Sequence, residues 1–498
     1  MATPPSPPVP VEGARAPKNI VICCDGTGNE VTGNLSNVLK LFRILEKDEL
    51  QRVYYHPGVG TVATENAWER FRARLSSYWG LATGAGLDDN ILDAYRFLVE
   101  TYEEGDCVFL FGFSRGAYTV RALAGFIHLV GLLQPDQIGI ADYALTTYKR
   151  AGWHDEKAAE KAARGSRAAP AGNAAAGRAV PGGQAETSGF RAGGQFKRVM
   201  ECRSVPIHFI GVWDTVASMI VPGSLPFSFR LRTLPFTRRN PSVRAFRHAM
   251  AIDERRRMFR LNRWEEGQKF EEDHWNPPED GFPDQDCEQV WFAGVHSDIG
   301  GGYAETESGL SKWPLMWMID EAASDKHGLR IRKPMYRYLA CGKPLPGGRL
   351  SYVGPNALGP MHRSLHGFFW WLIEIIPKSA HWREWRSAWL GFYLPLGEPR
   401  PVPPGEVLHP SVTERRSVKG PAPGEAVVKG LDYPPYDPVN LRDRRPMPPP
   451  PGPAMARLSA ITAPLAQFAF LGLLVWGIVR LAILLWSAGA ALVERLFG

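Results

Sequence analysis

The sequence is poor in cysteine, and what there is stands apart. Six Cys occur in 498 residues: Cys23, Cys24, Cys107, Cys202, Cys287 and Cys341. None forms a C-x-x-C pair and several lie inside apolar runs. They read as buried thiols in a reducing compartment, which argues against a disulfide frame or a zinc site. No other constellation has metal-ligand spacing, and no cofactor is expected. Residues 1–17 are Pro-rich and lack the apolar segment of a secretory signal peptide, so they are predicted to be disordered. A nucleic-acid partner is not expected, because no such motif accompanies the net charge of +7. That charge reflects either an Arg-rich composition or attraction to anionic surfaces such as phospholipid headgroups.

Hydrophobic residues make up 44% of the chain and aromatics 11%, which supports a large core. The length suits one large α/β domain with appendages, or two domains. Asp106–Leu133 organises the rest. Val108–Phe111 is a continuous apolar run, expected of a strand buried on both faces. Ala117–Leu133 is long enough for a helix. Between them lies Gly112-Phe113-Ser114-Arg115-Gly116, a G-x-S-x-G. Between a strand and a helix this motif predicts a nucleophile elbow, a strained turn that lifts a Ser hydroxyl above the sheet. Gly112 and Gly116 are needed where neighbouring chains leave no room for a Cβ. The Arg115 N–H, at a helix N-terminus, is placed to face a developing oxyanion.

Earlier in the chain, Asn19–Cys24 is a buried-type strand running into Asp25-Gly26-Thr27-Gly28-Asn29. This loop lacks the Lys and Ser/Thr of a P-loop. We read it as a second wall of the site, with Gly26 and Thr27 offering backbone N–H groups to an oxyanion. A helix near Asn37–Leu45, a strand at Val53–Tyr55 and helices over Asp88–Tyr102 and Ile138–Arg150 follow. Glu156–Gly194 is crowded with Ala, Gly and Arg and reads as a low-complexity surface insertion. Val205–Val216 is a core strand ending on Asp214, and Gln289–Tyr303 gives another that ends on His296 in a Gly-rich loop. Trp313–Ala322 is predicted to be helical. His362–Ile376 is apolar and aromatic, a lid or a core helix. Pro395–Pro404 reads as a linker.

A Ser nucleophile needs a base, and the base needs an acidic group to orient it. The order Ser114, Asp214, His296 is that of α/β-hydrolases, and both later residues fall where strand ends gather in an open α/β sheet. His128, His208, His248, His362 and His409 compete with His296, and Asp253 and Asp298 compete with Asp214.

The tail differs in kind. Ile461–Val479 is uncharged and apolar, long enough for a hydrocarbon core of roughly 30 Å. Arg480 interrupts the run, and Leu481–Val493 is apolar again. A tilted span, a span with an interfacial helix, a helical hairpin and two buried helices all remain open. Arg442, Arg444, Arg445 and Arg457 precede the run, which places the preceding domain on the cytoplasmic face. The predicted organisation is therefore residues 18–441 as an α/β catalytic domain, 442–457 as a basic Pro-rich linker, and 458–498 as a membrane-associated tail. The fold class is α/β-hydrolase-like, with a mostly parallel central sheet flanked by helices.

Five segments together resemble the bacterial and fungal family known as domain of unknown function 2235, which includes the first family of type VI secretion lipase effectors. They are Ile22–Asn29, Gly112–Tyr118, Gly211–Val216, Ala251–Arg256 and Gly294–Tyr303. The resemblance implies an α/β-hydrolase core acting on phospholipid or another lipid ester. Its Ser-Asp-His triad falls on Ser114, Asp214 and His296, the residues reached from the pattern alone. It also implies a secretion-system or immunity protein as partner and export without a signal peptide. The hydrophobic tail lies outside the family's pattern and points instead to a membrane-anchored relative. A catalytically silent, membrane-anchored interaction protein on the same scaffold is the contrasting reading.

Overall fold

The structure is a computed structural model that describes residues 16–26, 34–58, 86–152, 188–216, 219–222, 229–272, 278–348, 351–420 and 427–497. Its strands are β1 (Asn19–Cys24), β2 (Gln51–His56), β3 (Cys107–Phe113), β4 (Ile207–Trp213), β5 (Met219–Pro222), β6 (Phe229–Arg232), β7 (Val243–Ala251), β8 (Asp286–Phe292), β9 (Lys378–Ser379), β10 (Phe392–Tyr393) and β11 (Val407–Leu408). Seven of them form one sheet in the order β11-β8-β7-β4-β3-β1-β2, and each neighbouring pair is parallel. Parallel strands need crossovers, and the crossovers cover both faces.

The helices are α1 (Asn37–Ile44), α2 (Leu87–Thr101), α3 (Arg115–Val130), α4 (141–152), α5 (Ser188–Val199), α6 (His296–Gly300), α7 (Gly309–Ala322), α8 (Lys333–Leu339), α9 (Phe368–Ile375), α10 (Pro410–Ser417), α11 (Val439–Arg442) and α12 (Pro453–Phe497). Side-chain alternation along the central strands divides the core. Ile20, Ile22, Val108 and Leu110 face one layer, packed with Ile91, Leu98, Val120 and Leu123 of α2 and α3. Val21, Phe109, Phe111 and Phe209 face the other, packed with Val38 and Leu41 of α1 and Leu315 and Met318 of α7. These strands are near-continuous apolar runs because both faces are covered.

Three features differ from the sequence reading. Residues 153–187 of the Ala/Gly/Arg-rich stretch lie outside the described residues, as do 1–15 and Thr27. The stretch ends sooner than predicted, however: Ser188–Gly194 opens α5, where Gly189 meets Ala151 and Gly193 meets Leu129 closely enough to leave no room for a Cβ. Pro395–Pro404 is not a solvated linker. Glu398, Arg400 and Val402 are all buried, and the segment crosses the sheet's C-terminal edge as a strap. The tail is neither a hairpin nor two helices. It is one continuous helix of 45 residues, about 68 Å at 1.5 Å per residue.

The base of α12 is docked on the domain. The Ala380 N–H donates to Ser459 Oγ at 3.0 Å, and Gln467 Nε2 donates to the Pro377 carbonyl at 2.9 Å. Gly391 is tight against Ser459 and Thr462. Beyond that base, Leu473, Trp476, Ile478, Leu481 and Leu484 are exposed. Residues 453–484 are apolar enough and long enough to cross a membrane, and none of their most apolar window is buried.

Candidate active site

The site lies where β1, β3, β4, β7 and β8 end. Ser114 follows β3 directly and caps α3 with φ 56° and ψ −117°. A non-Gly residue there is strained by about 1–3 kcal/mol, and such strain clusters at functional sites. The surroundings enforce it. A Cβ on Gly116 would sit 2.0 Å from the Cys24 carbonyl oxygen, and one on Gly112 would sit 2.5 Å from the Gly116 carbonyl oxygen. The turn is thus wedged against the end of β1, with no space at either glycine. Asp214, one residue beyond β4, also has positive φ, at 37°. The Ser114 N–H donates to the Trp213 carbonyl at 3.1 Å, and the Asp214 N–H donates to the Ala249 carbonyl at 2.8 Å, so the two turns share the sheet's ladder.

His296 opens α6 in the loop after β8. Its Nδ1 lies 2.6 Å from Asp214 Oδ2, and both side chains are buried. Its Nε2 is buried with no hydrogen-bond partner among the described residues. The imidazole packs between Phe113, the residue before Ser114, at 4.7 Å and Phe259 at 4.8 Å between ring centroids. Its own N–H donates to Glu254 Oε2 at 3.2 Å. Burial pushes the imidazole pKa down, against the hydrogen bond and charge of Asp214, which favours the neutral ring. Burial would raise the Asp214 carboxyl, but the charge of Arg400, then the contacts of His296, hold it well below the usual carboxylate range.

The loop after β1 is described only as far as Gly26. Asp25 is buried and accepts from Tyr55 at 2.9 Å and from Ser36. The Gly26 N–H donates to Asp25 Oδ1 at 2.7 Å, so in this state it is engaged within its own loop. The Arg115 N–H heads α3 beside Ser114, and the Arg115 Nη1 and Nη2 are buried without hydrogen-bond partners among the described residues.

The competing residues have other partners. His248 accepts the Thr215 N–H at 3.2 Å from inside β7. His409 caps α10. His208 lies against the His327 carbonyl and His128 against Phe236. Asp253 accepts from the Gly294 N–H and the Tyr436 hydroxyl, pinning the loop that carries His296. Asp298 binds His362: Oδ1 lies 2.7 Å from its Nδ1, while Oδ2 accepts the Val295 and His362 N–H groups. His362 Nε2 lies 3.2 Å from Glu307, and the ring stacks on Tyr303.

Sequence reasoning missed Glu254, Phe259 and Arg400. Glu254 stands in a segment singled out by pattern, Ala251–Arg256, but nothing in the pattern assigns it the His296 N–H. Phe259 gave no signal. Arg400 gave a wrong one, because prolines surround it.

A model of the family described as T6SS, Phospholipase effector Tle1-like, catalytic domain matches residues 18–321. The chain belongs to the Tle1-like family. A protein of Saccharomyces cerevisiae described as uncharacterized protein YEL023C is 30% identical over 259 residues, which are 50% of this chain and 33% of the yeast protein. The chain therefore corresponds to about a third of that relative's length. Among solved structures, an uncharacterized protein from Pseudomonas aeruginosa is 18% identical with TM-score 0.31, covering 64% of this chain and 47% of the other. The Tle1 effector bound to the VgrG spike of the type 6 secretion system is 19% identical with TM-score 0.29, covering 60% and 53%. What the Tle1-like match adds to the geometry is a phospholipase effector class of domain, spanning Ser114, Asp214 and His296.

Proposed function

We propose that this chain is a serine hydrolase that cleaves lipid esters, with phospholipid as the favoured class. The observation that carries the reading is the Asp214–His296 bond of 2.6 Å, with a buried Nε2 that has no partner among the described residues and a ring packed on Phe113, the residue before the strained Ser114. In this reading the His296 Nε2 takes the Ser114 proton as Oγ attacks the acyl carbonyl, and then gives it to the leaving alcohol. Asp214 fixes the tautomer and balances the imidazolium. The oxyanion meets the Arg115 N–H at the start of α3, joined by the N–H of Gly26, once it leaves Asp25, or of Thr27. Water then releases the acyl group by the same steps. Membership of the Tle1-like family supports lipid as the substrate class and a secretion-system partner. The domain limits 18–441 and 442–457 belong to the same proposal.

The reading extends to α12 as a membrane anchor that holds the domain on the cytoplasmic face. An exposed apolar collar at its base supports this: Phe368 and Trp371 of α9, and Trp389, Leu390, Leu394 and Leu396. Aromatic side chains favour the membrane–water interface. Trp370 links the collar to the site through Phe259, which touches His296.

The test is fatty-acid release from anionic phospholipid vesicles by wild type and Ser114→Ala. A loss of several powers of ten is expected, and equal release by the two proteins contradicts the proposal. Removing 457–498 is expected to release the protein from membranes while leaving hydrolysis of soluble short-chain esters. If the truncated and full-length proteins partition alike, the anchor is wrong.

A further inference from the structure

Arg400 lies 79 residues beyond the end of the matched domain (400 − 321), yet it touches the centre of the site. Its Nη1 donates to Asp214 Oδ1 at 2.6 Å and its Nη2 to Asp214 Oδ2 at 3.1 Å, a two-pronged grip on a fully buried carboxylate. The same guanidinium donates to the carbonyls of Ala251 and Phe259. With the Ala251 N–H on Oδ1 at 2.9 Å and His296 on Oδ2, both carboxylate oxygens are taken. We propose that Arg400 is a positioning residue for the hydrolysis, supplied by the C-terminal strap, which aims Asp214 at His296 and sets how readily the pair takes up a proton.

The strap is built to hold Arg400 still. Its carbonyl accepts from Asn440 Nδ2 at 2.9 Å. Two residues earlier, Glu398 accepts from Arg257 Nη1 at 2.8 Å and from the N–H groups of Trp385 and Arg386 at 3.2 and 2.7 Å. Arg257 also pairs with Glu384, and its N–H donates to Glu374. A planar fork on a carboxylate fixes two angles as well as a distance, which a lysine ammonium does not. Stacked on that fork, Asp214 has one orientation left, with Oδ2 toward His296.

The charges around the pair make the effect readable by pH. Asp214 and His296 are faced by Arg400 from the strap, by Glu254 and Arg256 from the loop after β7, and by His248 from β7. Arg256 is matched by Glu254 in a paired contact at 2.8 and 2.9 Å, and buried His248 is held neutral. Among the described residues, Arg400 is therefore the cation that offsets Asp214. Without it a proton joins the Asp214–His296 pair more easily, whichever partner holds it. The active form, with neutral imidazole, then persists only at higher pH.

This inference rests on the hydrolase reading, so the experiment separates the two. The pH dependence of kcat/KM on a soluble short-chain ester is measured for the full-length protein, Arg400→Met and Arg400→Lys, with thermal melts as the control for folding. For Arg400→Met we expect a loss of roughly 10²-fold at the plateau, short of the roughly 10⁴-fold that follows loss of a triad Asp, since the carboxylate remains. Its acid limb should move up by about one pH unit or more. Arg400→Lys keeps the charge and loses the fork, so its limb should return to the wild-type position while its plateau stays low. An unmoved limb in Arg400→Met, with activity lost only in step with folded fraction, overturns the proposal. If Arg400→Met does not fold, Arg400→Lys decides: a wild-type limb with a lowered plateau supports it, and a wild-type plateau overturns it. If the wild type shows no hydrolysis, the hydrolase reading fails first. NMR titration of the His296 ring in ¹⁵N-histidine-labelled wild type and Arg400→Met, or Arg400→Lys if the former does not fold, then reads the effect of Arg400 directly; equal titration in both overturns it.

Discussion

The sheet edge and the strap that crosses it are opposites in how they are made. Ser114 and Asp214 directly follow strands that the parallel ladder holds in register, and His296 opens a helix just past a third, in a loop pinned by Asp253. Arg400 sits in irregular chain between prolines, and what holds it is a buried ion cluster of Arg257, Glu374, Glu384 and Glu398. The edge gains its precision from secondary structure and the strap from charge. Each is therefore vulnerable in its own way: the edge to any added atom, the strap to any removed charge.

The largest expected effect tests the edge. Asp214→Asn keeps the shape but loses the charge and presents the wrong tautomer preference to His296, so kcat on a soluble ester should fall by about 10⁴-fold with little change in KM. A fall of less than tenfold would show that His296 works without Asp214. Next comes the strap. Glu398→Ala leaves Arg257 short of a partner and frees three backbone N–H groups, those of Glu384, Trp385 and Arg386. Breaking a buried pair costs about 3–5 kcal/mol, so the thermal midpoint should drop and activity should fall with it as Arg400 drifts. Retained activity at a lowered midpoint would uncouple strap from site.

Gly116→Ala returns to the edge with a single added methyl group. Its Cβ would meet the Cys24 carbonyl oxygen, a backbone atom, at 2.0 Å, so the elbow must shift. A loss of about 3 kcal/mol is expected, visible in denaturant unfolding. A variant as stable as wild type would mean the elbow has slack.

The smallest effect is a pH slope at the strap's side of the site. Burial lowers the pKa of His362, but Asp298 and Glu307 outweigh it, and the net shift is upward. A raised folded-state pKa gives stability that is fully present below the ordinary histidine value and is lost as pH rises through the folded one. Wild type should therefore lose stability relative to His362→Gln as pH rises from near 6.5 through the alkaline side of the histidine range. Melting curves of the two proteins across that window check the sign; a difference that grows with pH contradicts it.

The edge was legible in the sequence because strand burial writes itself as apolar runs and the turns after them carry Gly, Ser, Asp and His. Asn19–Cys24, Val108–Phe111 and Ile207–Trp213 are such runs, and the structure places them in adjacent, parallel strands. The strap was not legible. Glu398-Pro399-Arg400-Pro401-Val402 has the composition of a solvated spacer, and its burial depends on partners as distant as Arg257 and Asn440. The one signal available was a pair of opposite charges set between prolines beside an apolar Val. Likewise Ile461–Val479 announced an apolar helix, but nothing in it announced that Ser459 and Gln467 dock its base on 377–391.

The central claim is that Ser114 is a nucleophile activated by His296. Labelling of the folded protein with a fluorophosphonate, followed by peptide mass spectrometry, tests it most directly. One covalent adduct is expected, on Ser114, absent from Ser114→Ala and slowed by orders of magnitude in His296→Ala. Folded wild-type protein that takes up no label, or takes it up elsewhere, would contradict the account and favour a silent scaffold.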